Sequence, residues 1–368
     1  NKAGLIETVG SGEPRIDFSN DAKGALLLEP QRLQLVDNSS NFFVGGWSGT
    51  RTSEGSTINA PNGNNEAHKL IASSVNNSHF REYTASSASS GSYTGSCFFK
   101  KGEFNVGAIR MSVDSYANRI GVYINLDNGT HLQTSTVGSP TGTSYKIENY
   151  GSGWYRLSVT IIHTSGEVRM SLSNASSDYT NSNGLPVFLG NSSDGGYSWG
   201  AQVEQGSYAT SYIPTQGSAV TRSADSSSQT PPSGIIGQTE GTLFIEYPNI
   251  DNTFAFIGLT EGNNSNRMIV YSSGDNILTA QFRQLGTIKL SSSSSVITGK
   301  VKCALSFSST ESVFYVNGTQ IAVGTSSAWS SLNEITLNQA NQIGAKVSEI
   351  KYYNTRLSNS ELQALTTI

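Results

Sequence analysis

Along most of the chain, β-branched and aromatic residues alternate with polar ones in short runs bounded by Gly, Asn and Ser, which is the pattern of half-buried strands. Val106 to Val113, Ile120 to Leu126, Trp154 to Ile161 and Val168 to Leu172 each place an apolar side chain at every second position. Asn128-Gly129 and Asn317-Gly318 are two-residue hairpin signals, because a type I′ turn needs positive φ at both central positions. The exception to this pattern is the tail. Ser358 and Glu361 have the spacing of a capping box, and Leu357 and Leu362 that of a hydrophobic staple, so a short helix is expected from Ser358. The fold class predicted is all-β, closed by one C-terminal helix.

Where the alternation lapses, the pattern suggests boundaries. Residues 215–237 have no sustained apolar period and read as a linker between two strand-rich domains, 38–214 and 238–368. Residues 1–37 hold only short extended pieces, among them Pro14-Arg-Ile-Asp-Phe18 and Ala25-Leu-Leu-Leu28, too few to build a core alone. They are expected to pack on the first domain or on a neighbouring chain.

Composition narrows the class of function. Only 14% of the 368 residues are charged, and 23 Lys+Arg face 27 Asp+Glu, so no basic cluster exists to release counterions from a phosphate backbone; nucleic acid is not an expected partner. The longest apolar runs, such as Phe254 to Leu259, fall far short of the ~20 residues that span a bilayer as a helix, so no membrane insertion is expected. Cys97 and Cys303 fall in different predicted domains and read as two buried free thiols. With neither a secretory signal nor an initiator Met at its start, residue 1 reads as the start of a fragment or a processed product.

Three stretches carry a resemblance: Gly4-Leu-Ile-Glu…Pro14-Arg-Ile-Asp-Phe18…Leu26-Leu-Leu-Glu-Pro-Gln-Arg32 with Asn38-Ser-Ser-Asn-Phe-Phe…Trp47; Asn149-Tyr-Gly-Ser-Gly-Trp-Tyr-Arg156; and Trp199 to Thr215 followed by Val220-Thr-Arg-Ser-Ala-Asp225. In order and spacing these resemble a module of bacteriophage tail and head-appendage proteins. The resemblance implies a jelly roll similar to carbohydrate-binding modules. Gly241-Thr-Leu-Phe-Ile-Glu246, Phe314-Tyr-Val-Asn-Gly-Thr319 and Ile350 to Ser358 with Glu361-Leu are similar to concanavalin A-like (laminin-G-like) sandwiches. Two antiparallel β-sandwiches are therefore expected, a jelly roll and then a concanavalin A-like domain. The same resemblance implies a location on the virion surface, other virion proteins as partners, and assembly as a homotrimer, whose neighbouring chains could cover Leu26, Leu27 and Leu28.

Chemistry is sparse. Glycoside cleavage normally needs two carboxyl groups facing one bond; the nearest pair, Glu246 and Asp251, is interrupted by Pro248. His68, His79, His131 and His163 are scattered without zinc spacing, and no nucleophile elbow or phosphate loop is present. No catalytic residue and no cofactor is assigned. Asp194, Asp251 and Asp275 sit in Gly/Asn-rich loops that could offer oxygen ligands to Ca²⁺, although lone loop aspartates more often cap turns.

Strand phase offers more. If the runs Val106 to Val113, Ile120 to Leu126 and Val168 to Leu172 share a sheet, the face opposite the apolar phase presents Arg110, Tyr123 and Arg169 together, with Arg119 and Ser171 in the same phase. His79, Arg81 and Tyr83 form another such phase. Arg and Tyr on an outer face suit a sugar, a ring plane for the pyranose and fork donors for hydroxyls or carboxylates; they also suit plain cover of a sheet. Trp154 reads as core, Trp47, Tyr197 and Trp199 fit either role, and Trp329 in its small-residue loop could stack a sugar or plug the sandwich end. The expected function is non-catalytic binding of host-surface or environmental glycan through Arg81, Tyr83, Arg110, Tyr123, Arg169 and Trp329. The alternatives are a structural appendage segment serving assembly and a polysaccharide-degrading enzyme whose site is assembled only by folding.

Overall fold

The computed structural model describes the chain apart from residues 20, 87, 251–253, 263–264, 274–275, 330 and 338–344. The described strands pair antiparallel throughout, and the chain divides into two units. One comprises residues 3–7 and 32–222, the other residues 1–2, 8–31 and 223–368.

In the 32–222 unit, a six-stranded sheet runs in the spatial order His131–Val137, Asn118–Asn125, Val106–Val113, Val168–Ala175, Phe80–Ala85, Trp47–Thr50. The second sheet is built on Ser144–Asn149, Trp154–His163, Gly91–Lys100 and Gly195–Gln205. The alternation seen in the sequence puts Ile109, Met111, Ile120, Val122, Met170 and Leu172 of the first sheet in one core with Cys97, Phe99, Leu157, Val159 and Ile161 of the second. Trp154 and Trp199 are buried in a smaller cluster with Phe98. Because period two fixes both faces at once, the same strands present Arg110, Arg119, Tyr123, Arg169 and Ser171 on the opposite, outer side, as expected. A small third sheet, Thr180–Ser182, Leu185–Leu189 and Asn76–Ser78, belongs to this unit as well.

The 223–368 unit is also a sandwich. Its six-stranded sheet includes Phe254–Thr260, Arg267–Ser273 and Thr279–Gln284, and its five-stranded sheet includes Gly241–Tyr247, Val301–Phe307 and Glu311–Val316. The helix Asn359–Thr366 starts on the expected capping box and buries Leu362 against Ala304, Val313 and Tyr315. Asn317 and Gly318 have φ of 47° and 76°, the two positive values a type I′ turn needs. At the other hairpin signal only Gly129 is positive, and the loop there runs from Asn125 to His131.

The organisation differs from the sequence expectation at two places. Residues 1–37 are not a separate region. Ala25–Leu28 pairs with Ala345–Val347, and Leu28 is buried in the core of the 223–368 unit with Leu26 packed against it. Leu26 and Leu28, which seemed to call for a neighbouring chain, are thus covered by their own. Residues 215–237 are likewise not an unpaired linker: Val220–Arg222 pairs with Arg32–Gln34, and Ser227–Gln229 with Glu334–Leu337. Short polar segments can complete a sheet edge through backbone hydrogen bonds alone, which leaves no apolar period to read.

Candidate functional site

The outer face of the six-stranded sheet is where most of the expected site residues meet. In register, Tyr123 lies opposite Ala108 and Ala108 opposite Ser173; Arg110 lies opposite Gly121 and Ser171; Ser112 lies between Arg119 and Arg169. Arg110, Tyr123 and Arg169 therefore share one face.

That face is not open. The hairpin Thr180–Ser182/Leu185–Leu189 folds back over its middle. Asn183 and Gly184 at its tip have φ of 55° and 80°, so this is a second type I′ turn. The tip rests on Gly121, where a Cβ would come within 2.1 Å of the Gly184 carbonyl oxygen. Tyr123 is fully buried beneath it, stacked on Tyr179 with ring centroids 5.1 Å apart and planes 4° apart. Its hydroxyl makes no hydrogen bond, and burial pushes the phenol pKa up. Tyr123 is thus no sugar platform, correcting the sequence expectation. The residue that covers it, Tyr179, is half-buried and reaches the surface.

On one side of the hairpin is a cleft of about 390 Å³ lined by Asn105, Asn125, Leu132, Gln133, Ser177 and Tyr179. Asn105 Nδ2 donates to Asp127 at 3.0 Å, Asn125 Oδ1 accepts from the Asp127 backbone at 2.7 Å, and the Tyr179 hydroxyl donates to Gln133 at 3.5 Å. Three side-chain amides, a hydroxyl and the Tyr179 ring converge on this concavity. The sequence reading named none of Asn105, Leu132, Gln133, Ser177 or Tyr179 as site residues; the Asn183-Gly184 pair was the signal that a hairpin would bring Tyr179 here.

On the other side is a charged cluster. Glu82 Oε2 accepts from Arg110 at 2.9 Å and from the Ser171 hydroxyl at 2.7 Å. Its Oε1 accepts from the Tyr116 hydroxyl and from Arg169 at 3.3 Å. Arg169 also donates to Glu167 and lies 4.3 Å from the Tyr116 ring centre. Burial works against the Glu82 charge, but the hydrogen bonds from Tyr116 and Ser171 and the Arg110 charge outweigh it and hold the carboxyl below its usual range. Arg110 is only 6% exposed and its Nη2 is held by this carboxylate, so it forms a buried structural ion pair and not the free fork donor expected.

The remaining candidates lie elsewhere. Arg81 and Tyr83 point to the inner side of the sheet, opposite Leu172 and Met170. Arg81 Nε donates to the Phe42 carbonyl at 2.7 Å and the Tyr83 hydroxyl to the Leu35 carbonyl at 2.9 Å, so both serve as satisfied core groups. Trp329 is 4% exposed and packs edge-on to Phe307 within the core of the other sandwich, so it offers no platform for a sugar, correcting the sequence expectation. Both cysteines are buried and free, and burial pushes their thiols up. Asp194 takes part in a turn through Asn191 and Ser193; Asp251 and Asp275 lie outside the described residues. Among the described residues, no group of three His, Cys, Asp or Glu side chains could hold a metal ion, and no helix is long and apolar enough to cross a membrane.

No protein-family model matches the chain, and no curated protein matches it. Among solved structures it is similar to the CBM40 of a Ruminococcus gnavus IT-sialidase bound to alpha2,3 sialyllactose, at 19% identity over 36% of this chain and 84% of that one, with a TM-score of 0.30. It is similar to a leech intramolecular trans-sialidase at 17% identity over 39% of this chain and 26% of that one, with a TM-score of 0.32. It is also similar to domains LG4-5 of the mouse laminin alpha1 chain at 9% identity over 83% of this chain and 92% of that one, with a TM-score of 0.27. Likeness at this level carries no argument about a ligand, which has to be read from the side chains of the outer face.

Proposed function

We propose that the 32–222 sandwich is a non-catalytic glycan-binding module and that its site is the cleft beside Tyr179. The observation that carries the reading is the lining itself: Asn105, Asn125 and Gln133 amides and the Ser177 hydroxyl around one aromatic ring. A sugar presents paired donors and acceptors that amides match, and an apolar ring face that a tyrosine can stack. Display on a bacteriophage appendage, with host-surface or environmental polysaccharide as the ligand, is part of this proposal and is supported by the motif resemblance around Asn38–Trp47, Asn149–Arg156 and Trp199–Asp225.

A glycan array on the full chain tests the reading. Retained glycans should be lost or weakened about tenfold by Tyr179→Ala and by Gln133→Ala, in keeping with the loss of one stacking or hydrogen-bonding partner of roughly 1.5 kcal/mol. An array without hits, or hits indifferent to both substitutions, overturns it, and released reducing ends or unsaturated sugars would establish an enzyme instead.

A further inference from the structure

On the same sheet, across the hairpin from the cleft, Arg110, Arg119 and Arg169 share a face with Glu82, and Glu167 and Asp114 lie at its end. Arg110 and Arg169 are taken up by Glu82 and Glu167. Asp114, at the nearby turn, is occupied by Asn118, Thr164 and Ser165. The Arg119 side chain has no hydrogen bond or ion pair among the described residues, and its Nε is buried without a partner. Burial lowers the Arg110 pKa, Glu82 opposes that, and the Arg119 charge adds to the lowering, so Arg119 stands within electrostatic reach of the cluster.

The unsatisfied atoms are neighbours. Ser112 lies directly between Arg119 and Arg169 in register, which puts the two arginine Cα atoms about 10 Å apart across three strands. The Ser112 hydroxyl is buried and makes no hydrogen bond, and the Nε of Arg110, one row along, is also unpaired. Buried polar groups are normally paired, and a guanidinium can only donate. What is missing from this corner is an acceptor.

We infer that Arg119, with Ser112 beside it, forms a second binding site that takes the carboxylate of an acidic sugar. A planar carboxylate matches the fork of a single guanidinium. The site is separate from the Tyr179 cleft and stands or falls without it.

The test is calorimetric titration of the full chain with sodium D-glucuronate, with methyl glucoside and inorganic phosphate as comparison probes. Glucuronate should bind, Arg119→Met should weaken it at least about tenfold, the effect of losing a charged hydrogen bond, and Arg119→Lys, which keeps the charge without the fork, should fall between. Because methionine keeps the apolar stem packing of the arginine, the melting temperature should be unchanged. Tyr179→Ala should leave glucuronate binding intact, so failure of the cleft reading and failure of this one are told apart. Absence of glucuronate binding, equal binding by methyl glucoside, tighter binding of phosphate, or affinity unaltered in Arg119→Met overturns the inference.

Discussion

Tyr123 lies flat beneath Tyr179, the two rings 5.1 Å apart and within 4° of parallel. The pair divides two roles between two identical side chains: the buried ring fixes the hairpin to the sheet, and the outer ring, held by that contact, faces the cleft. Tyr123→Ala should therefore destabilise the unit by about 3 kcal/mol or more, as large-to-small changes of a buried aromatic do, measured as the shift in urea midpoint. Tyr123→Phe should be neutral or stabilising, because it removes a buried hydroxyl that has no hydrogen-bond partner. A strongly destabilised Tyr123→Phe would mean that the hydroxyl is bonded after all.

The docking of the hairpin can be tested from the other side. Gly121 does not have positive φ, so alanine there costs little in backbone terms, yet its Cβ would meet the Gly184 carbonyl oxygen at 2.1 Å. Gly121→Ala should lift the hairpin tip at a cost of about 1–3 kcal/mol, the range for overpacking. Amide exchange of residues 180–189 should speed up while that of Val106–Val113 holds. Unchanged exchange in the hairpin would show that its tip does not rest on Gly121.

How much of this was legible follows from what a period-two pattern can encode. Alternation assigns each side chain to a face, so the shared face of Arg110, Tyr123 and Arg169 was readable from the three strands that carry them. It says nothing of what lies above that face, because the cover returns from 180–189 and depends on the path of the chain. Arg81 and Tyr83 show the opposite failure. Their polar ends find backbone carbonyls at Phe42 and Leu35 inside the sandwich, so inward residues read as outward ones. Leu26 to Leu28 were readable as needing cover, but their partner strand, Ala345–Val347, lies more than three hundred residues away, beyond any local signal.

Acid sensitivity should centre on the turn that carries Tyr116. Asp114, Ser115 and Tyr116 are three consecutive residues with positive φ, at 55°, 54° and 67°, a costly backbone for side-chain-bearing residues. Burial opposes the Asp114 charge, but hydrogen bonds from the Asn118 amide, from the Thr164 and Ser165 N–H groups and from the Thr164 hydroxyl outweigh it and hold the carboxyl at about 2. Since the folded pKa lies below the unfolded value of about 3.9, the stabilisation is complete above that value and is lost as pH falls from about 4 towards 2. Asp114→Asn should be less stable than the parent at pH 7, and the gap should narrow by pH 2.5 in urea melts. A gap independent of pH would assign the turn's stability to shape rather than to charge.

The N-terminal strand should prove to be part of the second sandwich in solution. Leu28 is 3% exposed in that core, and Ala25–Leu28 supplies the pairing partner of Ala345–Val347. Arg15 binds Glu29 at 2.7 Å and also pairs with Asp225, whose carboxylate accepts the Glu29 N–H at 2.7 Å, so the segment is tied to the start of the 223–368 stretch by charge as well as by packing. Leu28→Ala should cost about 2–5 kcal/mol, the range for a buried leucine, read as a lower melting temperature of this sandwich. A fragment of residues 223–368 should expose the apolar surface that Leu26 and Leu28 cover and bind a hydrophobic dye, and adding a peptide of residues 8–31 should restore a cooperative melt. For the same reason, proteolytic cleavage within 230–236 should leave two pieces that migrate together on a native gel and part only under denaturant. Clean separation of the pieces without denaturant, or a fragment 223–368 that melts cooperatively without the peptide, would show that the strand is dispensable to the core it enters.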